Sequence, residues 1–160
     1  MHFEILRDPV WNNIRVDDLT LDLVDTEVFQ RLRYVRQLGW TYLVYPGATH
    51  SRFEHALGTH HLSRRTLALL CEAEDATAIS EVEQAIVRSA ALLHDVGHYP
   101  FSHALEDIGA LHHEEVARPL IRKGAMAYHL TQRTGDATPA RVVDLIRGRG
   151  TRESRGQPSA

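Results

Sequence analysis

Ala91-Leu92-Leu93-His94-Asp95-Val96-Gly97-His98-Tyr99-Pro100-Phe101-Ser102-His103 ends an apolar helical run and then sets three histidines and one aspartate within ten positions. His94-Asp95 offers an imidazole nitrogen beside a carboxylate oxygen, a donor pair suited to zinc, manganese or iron. Successive helical residues diverge by about 100°. Both reach one ion only near the helix end, where Gly97 and Pro100 let the chain turn away. The helix leading there starts at Ser80-Glu81-Val82-Glu83, with Ser80 and Glu83 in the reciprocal positions of a capping box. Ala85, Ile86, Ser89, Ala90, Leu92 and Leu93 make it strongly apolar and central. It therefore carries His94 and Asp95 inward, and a buried Asp95 calls for a cation or several donors, because an unpaired carboxylate in the interior is costly.

Upstream, His50-Ser51-Arg52-Phe53-Glu54-His55 follows the Pro46-Gly47 turn, and Ser51 or Thr49 caps a helix from about Arg52 to Glu74. Phe53, Ala56, Leu57, Leu62, Leu69 and Leu70 are its expected buried side. Arg52 and His55 lie three apart on nearly one face, a spacing that serves a metal and a phosphate bound to it. His60-His61 reads as surface or partly buried packing. Further upstream, Phe3–Leu6 and Asn13–Val16 form a small hairpin, and Leu19 to Val24 a short helix or turn. Asp25-Thr26 caps a helix running through Val28, Leu32 and Val35 to Leu38, with Arg31, Arg33 and Arg36 on a solvated face and Gly39 as its stop. Tyr42 to Tyr45 is extended.

Downstream, a loop holds Asp75-Ala76-Thr77, Pro100-Phe101-Ser102 starts a segment bearing His103 and Glu106, and His112-His113-Glu114-Glu115 opens a helix that Pro119 interrupts. Ala117 stands where a His-Glu-x-x-His zinc-protease helix needs its second histidine, which excludes that site. Two further helices span about Ala125 to Arg133 and Thr138 onward, the latter with Thr138 as cap and Pro139 at its first position.

At 160 residues the chain is long enough for one domain with a single core. A net charge of -3 gives no global basic field to attract nucleic acid. Arginine supplies all the basic residues but Lys123, a bias that base composition explains without function. The single cysteine, Cys71, excludes an internal disulfide and is expected to pack in the core. No apolar run spans a bilayer and no leader opens the chain, so the expectation is a cytoplasmic protein with no membrane partner.

Taken in order, four blocks resemble the HD-domain phosphohydrolase superfamily, and within it the deoxynucleoside triphosphate triphosphohydrolase branch. They are Asp8-Pro9-Val10; Asp25-Thr26 with Phe29-Gln30-Arg31-Leu32-Arg33 and Gln37-Leu38-Gly39; Tyr45 to Gly58; and His94-Asp95-Val96-Gly97-His98 with Pro100-Phe101-Ser102-His103. The resemblance implies an all-α helical bundle with a small N-terminal β-hairpin, divided as an extension at 1–24, an HD domain at 25–147 truncated relative to the family, and a disordered tail at 148–160. It implies a divalent metal (manganese, iron, zinc or magnesium) on His55, His94 and Asp95. His98, His103, Glu106 and His113 become the catalytic group, and Arg52, Gln37 and Leu38 the substrate contacts. Asp25, Gln30 and Arg33 match a regulatory nucleotide site at a subunit interface of a homo-oligomer. The implied reaction is attack of metal-activated water on a phosphate of a nucleotide, a dNTP for this branch. The alternative is an HD module that binds metal or nucleotide with little or no turnover. Two departures stand out. Trp11-Asn12 replaces the usual His-Gly after the Asp-Pro-Val block, and the family's fourth ligand, an Asp on a later helix, has no matching segment; Asp136 and Asp144 are the acidic residues left downstream.

Overall fold

The computed structural model describes residues 3–72, 79–101 and 103–148. The expected loop at 75–77 and all of the expected tail beyond Gly148 lie outside them. Strands β1 (Phe3–Asp8) and β2 (Asn12–Asp17) pair antiparallel, Phe3 opposite Asp17 and Asp8 opposite Asn12, as the hairpin pattern predicts. The tight connection is held by Asp8, whose side chain accepts from the Val10 and Trp11 N–H groups, and by Asn12 at φ 60°.

Helix α1 (Asp18–Val24) follows at once, capped by Asp17, whose carboxylate accepts from the backbone and hydroxyl of Thr20. The helix expected from Glu27 to Leu38 is much shorter. α2 (Glu27–Gln30) tightens into a 3₁₀ turn over Arg31–Tyr34, and Val35 then turns extended. The reason is tertiary: the Val35 carbonyl accepts from Arg52 N–H, and Arg36 bridges Ser51, so these backbone groups pair across the chain instead of along a helix. Gly39 opens a second 3₁₀ turn (Gly39–Leu43) rather than stopping a helix, and it replaces most of the extended stretch expected at 42–45.

Helix α3 (Arg52–Glu72) is initiated by Ser51, whose hydroxyl accepts from Glu54 N–H while the Glu54 carboxylate takes the Ser51 N–H. Most of its buried residues lie in the first half; in the second, Leu67 is buried while Leu62, Leu69 and Leu70 are exposed, as is Cys71. His60, expected at the surface or in partly buried packing, is fully buried. Helix α4 (Glu81–Leu93) has the predicted Ser80–Glu83 capping box and runs through the centre, packed on α3 and on α8 (Thr138–Ile146). Between them come α5 (His103–Glu106), α6 (His113–Arg122) and α7 (Gly124–Thr134).

Pro119 does not interrupt α6, which continues through it. Thr138 lies inside α8, its hydroxyl donating to the Thr134 carbonyl, and Ala137 takes the capping position. One core includes Ile14 and Val16 from β2, Leu23 from α1, Phe29, Leu32 and Phe53, Leu92 and Leu93 from α4, and Val142 from α8. The hairpin and α1 thus belong to the same hydrophobic unit as the helices. The architecture is the all-α bundle with an N-terminal hairpin that the sequence implies.

Two predictions follow from the packing. Gly97 is needed for close approach: a β-carbon there would meet the His113 carbonyl and Ala117 N–H of α6. Gly97→Ala is expected to lower stability by about 1–3 kcal/mol, the usual cost of overpacking, whereas Gly47→Ala, with open space around it, shifts it by less than about 0.5 kcal/mol; urea titration of both variants measures this.

The second concerns His60. Burial, opposed by the Arg88 carbonyl and Asp17, lowers its pKa from 6.5 to about 4. The unfolded chain therefore binds the extra proton between those values, so stability from this group is full above pH 6.5 and is lost as pH falls toward 4. Denaturation curves across that window should show a slope of at most about 1.4 kcal/mol per pH unit that is missing in His60→Gln.

Candidate metal centre and phosphate site

α4 ends at Leu93, His94 caps it, and Asp95 to His98 turn back against α6. The cap settles the His94 tautomer. Its Nδ1–H donates to the Ala91 carbonyl at 2.9 Å, so Nε2 carries the lone pair. That nitrogen faces Asp95 Oδ1 at 3.3 Å and His55 Nε2 at 3.3 Å, and His55 Nε2 lies 3.8 Å from Asp95 Oδ2. Nε2 and the carboxylate oxygen at that separation share either a proton or a metal ion. Ligands 2.0–2.1 Å from one tetrahedral ion are about 3.3 Å apart. His55, His94 and Asp95 therefore fit a divalent metal without rearrangement.

The need of buried Asp95 for a cation or donors is met without a metal. Arg52 supplies a counter-charge, its Nη1 donating to Asp95 Oδ2 at 2.5 Å with both side chains buried. Burial pushes the Asp95 carboxyl up, but His98, His94 and Arg52 together hold it well below the ordinary carboxylate range. It is ionised throughout the pH range of a folded protein. Burial lowers the His55 pKa, outweighing the attraction of Asp95, and so favours the neutral imidazole that binds metal.

Beyond Asp95 the remaining histidines form a continuous array. His98, almost completely buried, sets Nε2 3.4 Å from Asp95 Oδ1, and its ring stacks on His113 at 3.8 Å and 15°. His113 donates its Nδ1–H to Glu106 Oε1 at 2.8 Å and its backbone N–H to the same oxygen. His103, largely exposed, donates to Glu106 Oε2 at 3.1 Å. Burial acts to raise the Glu106 pKa, but the hydrogen bonds from His103 and His113 prevail and lower it to about 2. The four residues singled out here in the sequence form one connected set of contacts, His98 joined to Glu106 through His103 and His113.

Gln37 and Leu38 lie outside that array in the bend before the second 3₁₀ turn. Gln37 is half-buried and its N–H donates to the His50 carbonyl; Leu38 is exposed. Asp25, exposed, caps the C-terminus of α1. Gln30 donates to the Val24 carbonyl and accepts from Arg33, whose guanidinium lies 3.6 Å from the centre of the Phe53 ring. Gln30 and Arg33 thus form one small surface unit. Asp136 and Asp144 are exposed and join neither His55 nor His94 in a donor group among the described residues.

Arg31 is the residue that sequence reasoning missed. It was assigned to a solvated face, yet its Nη1 and Nη2 donate to the carbonyls of His98 and Val96 at 2.6 and 2.5 Å. It clamps the turn that presents Asp95 and His98. Nothing in helical periodicity marks it, because it acts from a 3₁₀ turn on a backbone 65 residues away. Trp11, read as a local change, lies tilted against the His61 ring and rests over Gly58, walling a cleft of about 440 Å³ that also reaches Asp8, His50, Glu54 and His55. No helix among the described residues is long and apolar enough to cross a membrane.

Comparison with known proteins agrees with this arrangement. The HD domain family profile matches residues 52–155. YwfO of Bacillus subtilis is 38% identical over 89% of this chain and 33% of its own length. The Dictyostelium discoideum homologue of the deoxynucleoside triphosphate triphosphohydrolase SAMHD1 is 41% identical over 71% of this chain and 24% of its own, and human SAMHD1 is 43% identical over 64% and 16%. A crystal structure of a phosphohydrolase from Bacteroides thetaiotaomicron superposes with a TM-score of 0.76 at 32% identity, covering 91% of this chain and 35% of that one. The chain thus spans at most about a third of the curated relatives named here. With its His94-Asp95 pair set where the family profile matches, the chain belongs to the HD domain family.

Proposed function

We propose that the chain carries the hydrolytic centre of a metal-dependent phosphohydrolase acting on nucleotides, with deoxynucleoside triphosphates as the substrate class. The observation that carries this reading is the convergence of His94 Nε2, His55 Nε2 and Asp95 on one point, with a histidine–glutamate array beside it. A divalent metal held there supplies Lewis-acid stabilisation of a phosphate oxygen and acidifies water. Everything else falls to the protein. Glu106 fixes the tautomers of His103 and His113, leaving Nε2 of exposed His103 free to carry a proton to the leaving oxygen. His98, wedged between Asp95 and His113, links the two halves of the site. Arg52 balances Asp95 and offers guanidinium charge to a phosphate bound beside it.

Arg31 positions the turn. Gln37 and Leu38, near the exposed Trp40–Phe101 stack, suit the sugar and base. The dNTP assignment draws on relatives whose names carry that activity. By the same likeness, the Asp25, Gln30 and Arg33 surface is proposed as a regulatory nucleotide site in a homo-oligomer, and the cytoplasm as the place of action.

The decisive experiment measures metal content and phosphate or triphosphate release from a dNTP panel for the wild-type chain and Asp95→Ala. Metal and release in the wild type are expected, with Asp95→Ala losing one equivalent of metal and its release falling below about one-hundredth, since even supporting residues around a metal cost 10–100-fold. Metal without turnover in the wild type would instead identify a binding module. Glu106→Gln should lower kcat by about 100-fold, the usual contribution of acid–base catalysis, with little change in KM; an equal rise in KM would show that Glu106 serves binding instead.

A further inference from the structure

The array beyond His98 has more donor capacity than proton transfer uses. Glu106 lies under three imidazoles: His103 Nδ1 at 3.1 Å and His112 Nε2 at 3.6 Å from Oε2, and His113 Nδ1 at 2.8 Å from Oε1. Ligand atoms of His103, Glu106 and His113 all lie within 4.8 Å of one another, as do those of Asp95, His98 and His113 on the opposite side. The first group is fixed on α5 and the N-terminal end of α6, with Glu106 also accepting the His113 backbone N–H. It is open to solvent on one side, where the His103 and His112 side chains are 63% and 52% exposed. An entry path therefore exists.

We propose that His103, Glu106 and His113, with His112 at the rim, form a second site for a borderline divalent cation such as zinc, and that filling it switches the hydrolytic centre off. Two or three imidazoles with one carboxylate are the donor set that zinc prefers over magnesium or calcium. The separations of 3.1 and 3.6 Å from Oε2 straddle the edge of about 3.3 Å between ligands of a tetrahedral zinc. Binding replaces the two Nδ1–H hydrogen bonds to Glu106 with the ion: each neutral imidazole takes its other tautomer, the proton passing by way of solvent to Nε2, so that the Nδ1 lone pair faces the metal.

The inhibitory consequence rests on the hydrolytic reading above; the binding site does not. An imidazole whose Nδ1 lone pair is committed to a metal cannot take up a second proton, so His103 loses its capacity as an acid. The stacked rings of His113 and His98 link this site to Asp95, so a second dication also places positive charge close to the first.

The test counts zinc bound per chain after dialysis of the purified protein, with cobalt absorption as an independent reading of tetrahedral coordination. Two ions are expected in the wild type, one in Asp95→Ala, one in Glu106→Gln and none in the double variant. His103→Gln, an exposed change that leaves folding untouched, should also retain one. If the wild type binds one ion that Asp95→Ala removes and Glu106→Gln keeps, the second site does not exist. If it binds one ion with the reverse pattern, the second site stands and the first fails. In manganese-loaded protein that hydrolyses dNTP, zinc beyond the first equivalent should lower the rate at least tenfold. In His112→Ala, the zinc concentration for half-inhibition, relative to that variant's own zinc-free rate, should rise at least fivefold. Zinc seated at the second site with the rate unchanged would overturn the regulatory half of the proposal.

Discussion

The contact between Arg52 and Asp95 joins the first residue of α3 to the turn that follows α4, and the rest of the site is arranged around it. Neither charge tolerates burial alone. Removing one partner of a buried pair typically costs about 3–5 kcal/mol, because the other is left uncompensated. The pair therefore works as a register pin, holding His55, one turn along α3, opposite His94 at the α4 cap. The same carboxylate is also the meeting point of His94 and His98. Stability and chemistry draw on one residue, and His98, His94 and Arg52 together favour its ionised form.

Around that pin the fold uses backbone carbonyls to set side-chain states. The Ala91 carbonyl selects the His94 tautomer, and the Val96 and His98 carbonyls are tied down by Arg31. Gly97 lets α6 approach so closely that His113 stacks on His98. These contacts cost little individually. Together they place five titratable rings and two carboxylates at hydrogen-bonding separations without an unpaired buried charge.

Much of this was legible in the chain. The Ser80–Glu83 box, the apolar α4 stripe and the hairpin are local signals, and each is found where spacing and capping chemistry put it. The group His98, His103, Glu106 and His113 was accessible only through the ordered resemblance of its blocks, since α5 is a single turn with no periodic pattern to place it. The errors share one cause. The Thr26–Leu38 stretch carries helical periodicity, but Val35 and Arg36 pair with the chain at 51–52 and break it. Leu69, Leu70 and Cys71 look like core and are exposed, whereas His60 looks like surface or partly buried packing and is fully buried beside Arg88. Hydrophobicity alone does not say which half of a long helix meets the core.

By itself the sequence determined the fold class and most helix starts, because these depend on side-chain chemistry and on spacings of a few residues; it offered His55, His94 and Asp95 as candidate donors only through the ordered resemblance of its blocks. Tertiary structure alone decided which lone pair His94 presents, that Arg52 rather than an ion already balances Asp95, and that Arg31 holds the turn. It also brought His112 over Glu106. Each of these is fixed by groups that are distant in sequence or by a backbone carbonyl, and neither a carbonyl's direction nor a neighbour brought in by folding is written in the order of the side chains.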